Sequence, residues 1–150
     1  MSGGIKSVYI HDCTFRGSPF GFRIKSARTR GGTIQYVRVE NLKMYDVREP
    51  FSFQLNWFPE FSYCKIPEDY TGEIPEHWRI LSQYVPPEIG LPTLKDICIE
   101  NVSSYTDASG TDRAPLIFSI DTDPHRPIEN LLFRNLEVSA PTFGSIASVK

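Results

Sequence analysis

Four stretches of this 150-residue chain repeat one order of apolar positions, and that repeat constrains the fold more than any other feature. The order is apolar, two free, apolar, one free, apolar, one free, Asn or Asp, apolar, one free, apolar. It occurs in IKSVYIHDCTF from Ile5, IQYVRVENLKM from Ile34, LKDICIENVSS from Leu94 and IENLLFRNLEV from Ile128. The Asn slot holds Asp12, Asn41, Asn101 and Asn135, and only Ser104 breaks the last apolar slot. A second element keeps step. GFRIKS starts at Gly21 and PFSFQLNW at Pro50, each sixteen residues after its partner segment. PLIFSIDTD starts at Pro115, twenty-one residues on, and GSIASVK at Gly144, again sixteen on.

Short apolar runs such as V-Y-I, V-R-V and I-C-I suit strands, not helical stripes. A period near 30 residues with several strands per unit is the mark of a parallel β-helix, whose coils stack at about 4.8 Å. The expectation is an all-β, right-handed, single-stranded parallel β-helix of about four coils. The Asn slot falls at a bend, where stacked amides can hydrogen-bond one another. Burial in that ladder would also silence the glycosylation sequon Asn101-Val102-Ser103.

Pro50 completes the second unit, so residues 58–93 form an insertion within a single partial domain, 1–150. The insertion is rich in Pro and aromatic residues. PEHWRILSQY in it suits about two helical turns, opened by Pro75 and stopped by Pro86-Pro87. It reads equally as a loop packing its own aromatics or as the wall of a cleft. Trp57 and Trp78 read as core or as sugar-stacking aromatics, with core favoured for either one alone.

Composition excludes several classes. A net charge of −2 and a pI near 5.9 lack the basic excess of phosphate-binding domains, so no nucleic-acid partner is expected. No apolar run approaches the roughly 18 residues of a membrane span, and no signal peptide opens the chain. Cys13, Cys64 and Cys98 are odd in number, without a C-x-x-C pair, and read as free, mostly buried thiols. Neither a metal nor a cofactor is expected.

The alternation of Phe22-Arg23-Ile24-Lys25 turns Phe22 and Ile24 inward and Arg23 and Lys25 outward, roughly 6.6 Å apart at Cα. Two such cations match a polyanion, one as a bidentate fork and one as a compact charge. One coil on, Ser52 and Gln54 fall beside them, followed by Asn56, all suited to sugar hydroxyls. The stretch from Ser2 to Val47, with Arg-Ile-Lys at 23–25 between Gly21 and the GGTIQYVRVEN coil, resembles the late coils of the polygalacturonase family, glycoside hydrolase family 28. The likeness extends well to about Trp57 and by pattern beyond it. It implies a pectin-lyase-like solenoid and a place for Arg23 and Lys25, with Gln54 beside them, in the cleft for galacturonan or oligogalacturonate. It also implies inverting hydrolysis by carboxylates on neighbouring coils, and a periplasmic or secreted setting.

The carboxylates themselves are missing. The family's Asn-Thr-Asp, Asp-Asp and Gly-His-Gly motifs occur nowhere in the chain, so no catalytic residue is assigned. Asp121-Thr122-Asp123 falls two coils too late and reads as a strand-end turn. Glu68-Asp69 lies in the insertion, His11 reads as structural, and His77 and His125 as solvated. Met1-Ser2-Gly3-Gly4 resembles an interior turn. The chain is therefore expected to be a non-catalytic C-terminal part of a pectinase-like β-helix, with open ends prone to self-association. The alternative is a β-helical carbohydrate-binding or adhesive module that never had catalysis. A pectate-lyase-like enzyme would need a calcium-binding acidic cluster, and none is found.

Overall fold

The computed structural model describes residues 3–62, 64–106 and 114–150; Met1 and Ser2 of the expected interior turn lie outside them. Strand follows strand in two sheets, and every pairing is parallel. The first sheet holds β1 (Ile5–His11), β4 (Thr33–Tyr45), β6 (Thr93–Tyr105) and β8 (Glu129–Ser139), with β2 (Thr14–Arg16) also on β4. The second holds β3 (Phe20–Lys25), β5 (Glu49–Gln54), β7 (Leu116–Asp121) and β9 (Thr142–Ala147). The chain visits the sheets in turn and pairs each strand with the next of its own sheet. That is the strand plan of a parallel β-helix.

The register follows the repeat: Ile5 pairs with Ile34, Ile34 with Leu94, and Lys95 with Glu129. The gaps in the apolar order have a backbone cause. Asp12, Asn41, Asn101 and Asn135 have φ between 50° and 56°, the left-handed region that Asn and Asp tolerate best. Five residues earlier, Ser7, Tyr36, Asp96 and Asn130 have φ between 55° and 60°. Each left-handed residue turns the strand, so the next inward residue comes three positions on instead of two.

The bend residues form the expected ladder. Asn135 Nδ2 donates to Asn101 Oδ1 at 3.0 Å, Asn101 to Asn41 at 3.3 Å, and Asn41 to Asp12 Oδ1 at 3.0 Å. A second, shorter link joins Asn130 to Asp96 at 2.8 Å. The ladder is exposed, not buried. Its amides face outward because the left-handed bend turns the side chain away from the inward residues on either side. Burial in the ladder therefore does not silence the Asn101 sequon.

Inward residues stack in columns. Val8, Val37, Ile97 and Leu131 form one, and Ile10, Val39, Ile99 and Phe133 another. Phe15, Met44, Ser104 and Val138 form a third, in which Ser104 is fully buried and its Oγ has no hydrogen-bond partner among the described residues. In the second sheet Ile24, Phe53, Ile120 and Ile146 stack, beside Phe22, Phe51, Phe118 and Gly144. Phe22 and Ile24 are buried as expected. Phe51, Phe118 and Phe133 pack with centroids 5.2 to 5.4 Å apart, a geometry that adds to plain area burial.

Two details of the second element differ from the spacing read off the sequence. Phe51 pairs with Phe118, so Pro50 aligns with Ile117 and not with Pro115. The slip is two residues, which preserves the faces because strand side chains alternate. Gly144 pairs with Phe118 and stands in the phenylalanine column instead of aligning with Gly21. Its φ of +83° and the Phe118 carbonyl 2.0 Å from where a Cβ would lie leave room for glycine alone.

Between β5 and β6 lie α1 (Pro59–Ser62), α2 (Glu76–Leu81) and α3 (Pro87–Gly90). Helix α2 begins after Pro75 and stops well before Pro86, close to the expected turns. It buries none of its residues; Tyr70 and Trp78 pack on each other at 5.4 Å. The segment is tied down at its two ends, by Thr29 Oγ1 donating to the Ser62 carbonyl and by Gly31 N–H donating to that of Gly90. Among the described residues no helix is long and apolar enough to cross a membrane. The cysteines are free, but Cys64 is exposed and Cys13 and Cys98 are half-buried. The expected burial fails: Cys64 lies in the insertion, and Cys98 occupies an outward slot of β6 between Arg38 and Leu132.

Candidate substrate-binding site

Strand β3 runs beside β5 with Arg23 opposite Ser52 and Lys25 opposite Gln54. Because Phe22 and Ile24 face the core, Arg23 and Lys25 stand on the outer face. There the structure joins two of the three expected residues directly: Arg23 Nη2 donates to Gln54 Oε1 at 2.9 Å. Below the guanidinium lies the Phe20 ring, 3.8 Å from centroid to Cζ. Lys25 Nζ sits 4.0 Å above the Trp57 ring. Each cation is thus seated on an aromatic face, an arrangement that contributes about 0.5–1 kcal/mol at an exposed site and orients the charge.

Ser52 departs from its expected role. It is fully buried and its Oγ has no partner among the described residues. A short side chain flanked in register by the long arm of Arg23 lies beneath its neighbours, out of reach of a ligand. Asn56 is exposed as expected.

Three contributors escaped the sequence reading. Phe20 props Arg23, although nothing in the F-R-I-K alternation marks it. Arg30 joins Lys25, Ser26, Trp57 and Ser62 around a depression of about 320 Å³ next to the cation strand. Asp121 continues the outward row Lys25–Gln54–Asp121. The two-residue slip hid Asp121: alignment on Pro115 puts Ser119 opposite Gln54, whereas the paired strands put Asp121 there.

Apart from Asp121, the residues set aside as non-catalytic lie off this outward row. Thr122 and Asp123 form the turn after β7, where buried Asp123 holds Arg28 at 2.8 Å and accepts from the His125 N–H at 2.9 Å. His77 and His125 are exposed, and Glu68-Asp69 lies in an exposed turn. His11 stacks on Tyr9 at 4.4 Å and pairs with Asp12 at 2.8 Å. On the outer face of the first sheet, Arg38 bridges Glu40 and Glu100 at 2.7 and 2.8 Å, and Tyr9 donates its hydroxyl to Glu40. In this network the Arg38 cation is paired with two carboxylates. Among the described residues no group of three or more His, Cys, Asp or Glu could hold a metal ion.

The family model of glycosyl hydrolases family 28 matches residues 2–69, which span β1 to β5, the candidate site and the start of the insertion. Over this stretch the chain is similar to that family. No curated protein and no solved structure gave a match.

Proposed function

We propose that the chain is part of a polygalacturonase-like glycoside hydrolase and that its Arg23, Lys25 and Gln54 hold a galacturonan strand. The carrying observation is the aromatic-seated cation pair, with Arg23 bonded to Gln54, within the segment matched by the family model. Arg23 supplies a planar fork for one uronate carboxylate, and Lys25 supplies a point charge for the same or the next sugar. The Gln54 amide nitrogen remains free to donate to a hydroxyl. Arg30 extends the cationic surface around the neighbouring depression.

In this reading the solenoid is right-handed and has four coils, and these 150 residues bind without cleaving. No Asn-Thr-Asp, Asp-Asp or Gly-His-Gly motif is present to protonate a leaving oxygen or activate a water. The parent activity is inverting hydrolysis of pectin outside the cytoplasm. Strands β1 and β3 at one end, and β8 and β9 at the other, carry open edges that favour end-to-end association.

Titration with oligogalacturonate, followed by amide NMR, tests the reading. Shifts should concentrate at residues 21–26 and 50–57 and disappear in Arg23→Ala/Lys25→Ala. Affinity should be weak, because exposed ion pairs supply only about 0–1 kcal/mol each. Shifts centred elsewhere, or reducing-sugar release by the chain, would overturn it.

A further inference from the structure

A second concavity lies away from the cation strand. A groove of about 580 Å³ follows the asparagine ladder, with none of Arg23, Lys25 or Gln54 in its lining. One wall is the ladder; the other is the outward row Thr14, Lys43, Ser103 and Glu137, carried by β2, β4, β6 and β8.

Three properties of the groove select a ligand. The first is unused hydrogen-bonding capacity. A side-chain amide has two donor hydrogens and an oxygen with two lone pairs. Each of Asn41, Asn101 and Asn135 spends one hydrogen on the ladder. One hydrogen per amide remains, repeated at the strand spacing of about 4.8 Å. The second property is charge. Lys43 is offset by Asp12 and Glu137, and the pairing of Asp12 with His11 and Asn41 holds its carboxyl below the usual range, in the ionised form. Two carboxylates in the lining repel phosphates and uronates. The third is an aromatic rim. Tyr105 lies two residues beyond Ser103 on the same outer face, half exposed, with its hydroxyl donating to Glu137. That bond ties the ring to Glu137, a lining residue, and holds it beside the groove, where a sugar can contact its exposed part.

A linear ligand with hydroxyls at regular intervals and no charge fits all three. We infer that the ladder groove is a second saccharide site, specific for a neutral oligosaccharide lying along the stacking direction. The site is independent of the galacturonan reading, since it shares no residue with it and disfavours uronates.

The test is an amide NMR titration of the whole chain with a neutral galacto-oligosaccharide, and separately with oligogalacturonate. The neutral ligand should shift the side-chain amides of Asn41, Asn101 and Asn135 and the backbone of Lys43 and Ser103. Ser103→Phe, which fills the groove from its outer wall, should weaken this response about tenfold or more, and Tyr105→Ala should weaken it several-fold. Arg23→Ala/Lys25→Ala should leave it unchanged. The inference fails if the neutral ligand leaves the ladder amides unshifted at tens of millimolar, or if the uronate shifts them more strongly. Because the wild-type map decides these points, misfolding of a variant does not rescue it. Failure of the cation-strand site would show separately, as a missing oligogalacturonate response at residues 21–26.

Discussion

Replacing Ser104 by alanine should stabilise the protein. Ser104 occupies the one polar slot of an otherwise apolar column, between Met44 and Val138, with no exposed surface and no partner for Oγ among the described residues. A buried hydroxyl without a hydrogen bond costs about 1–3 kcal/mol on the scale of protein substitutions. Alanine removes that cost. The vacated space, about 10 Å³, returns only about 0.2 kcal/mol at roughly 24 cal/mol per Å³. The net expectation is a gain of about 1–2.5 kcal/mol. At about 2–4 °C per kcal/mol for a chain of this size, the melting temperature should rise by several degrees. Urea denaturation should show a higher midpoint at an unchanged slope, which separates a change in stability from one in compactness. Valine tests the same slot by size: it gains further if the space suits it and loses about 1–3 kcal/mol if the column is overfilled. A Ser104→Ala protein that melts at or below the parent temperature would refute the reasoning, because the hydroxyl would then be contributing a bond.

Two further substitutions test the backbone and the ladder. Gly144→Ala should cost more than Gly17→Ala. Both have positive φ, worth about 1–2 kcal/mol against alanine, but a Cβ at Gly144 also meets the Phe118 carbonyl whereas Gly17 faces open space; equal melting temperatures would contradict this. Asp12→Asn should remove one pH-dependent contribution. The Asp12 pKa is lowered first by the His11 hydrogen bond and then by that of Asn41, so its stabilisation is present above the unfolded carboxylate value and is lost as pH falls through the lower folded one. Wild type should therefore exceed the variant in urea midpoint near neutrality and converge with it as the pH falls below the usual carboxylate range, and a constant difference across the acid range would exclude the Asp12 pairings as the cause.

The strands were legible because columns of like residues recur at nearly constant spacing. Ile5, Ile34 and Leu94 align in register as the apolar order required, and the Asn slot marked the bend. The companion bend at Ser7, Tyr36, Asp96 and Asn130 was present as the pair of free positions after each first apolar residue. It went unread because Ser and Tyr give no left-handed signal by themselves. The third second-sheet strand was misplaced by two residues because the prolines at 50 and 115 look equivalent, yet backbone pairing matches phenylalanine to phenylalanine. The ladder's exposure could not be read from spacing, since a bend residue can turn inward or outward with the same apolar pattern around it. At the candidate site, alternation placed Arg23, Lys25 and Gln54 on one face. It could not reveal that Phe20 and Trp57 lie beneath the cations, because those contacts come from side chains reaching along the outer surface.

The register that makes the core also makes the site. The 29-residue step that packs Phe22 edge-on to Phe53 at 5.6 Å brings Arg23 within 2.9 Å of Gln54. A one-residue slip between β3 and β5 would put Arg23 and Lys25 against the inward faces of Phe51 and Phe53, burying two unpaired cations at a cost no surface contact offsets. A two-residue slip keeps the faces: in one direction it sets Phe22 opposite Phe53 and Arg23 opposite Gln54, in the other Phe22 opposite Glu49 and Arg23 opposite Pro50. Core packing alone discriminates weakly against the first of these, since one large apolar residue replaces another in each column. The observed register is the one that carries both outer-face contacts, Arg23 with Gln54 and Lys25 with Trp57. A protein in which Gln54 is changed to alanine should therefore keep its fold while allowing β5 more freedom of register. Faster hydrogen exchange at residues 50–56 than elsewhere in the second sheet would report it, and unchanged protection there would show that the core columns fix the register unaided.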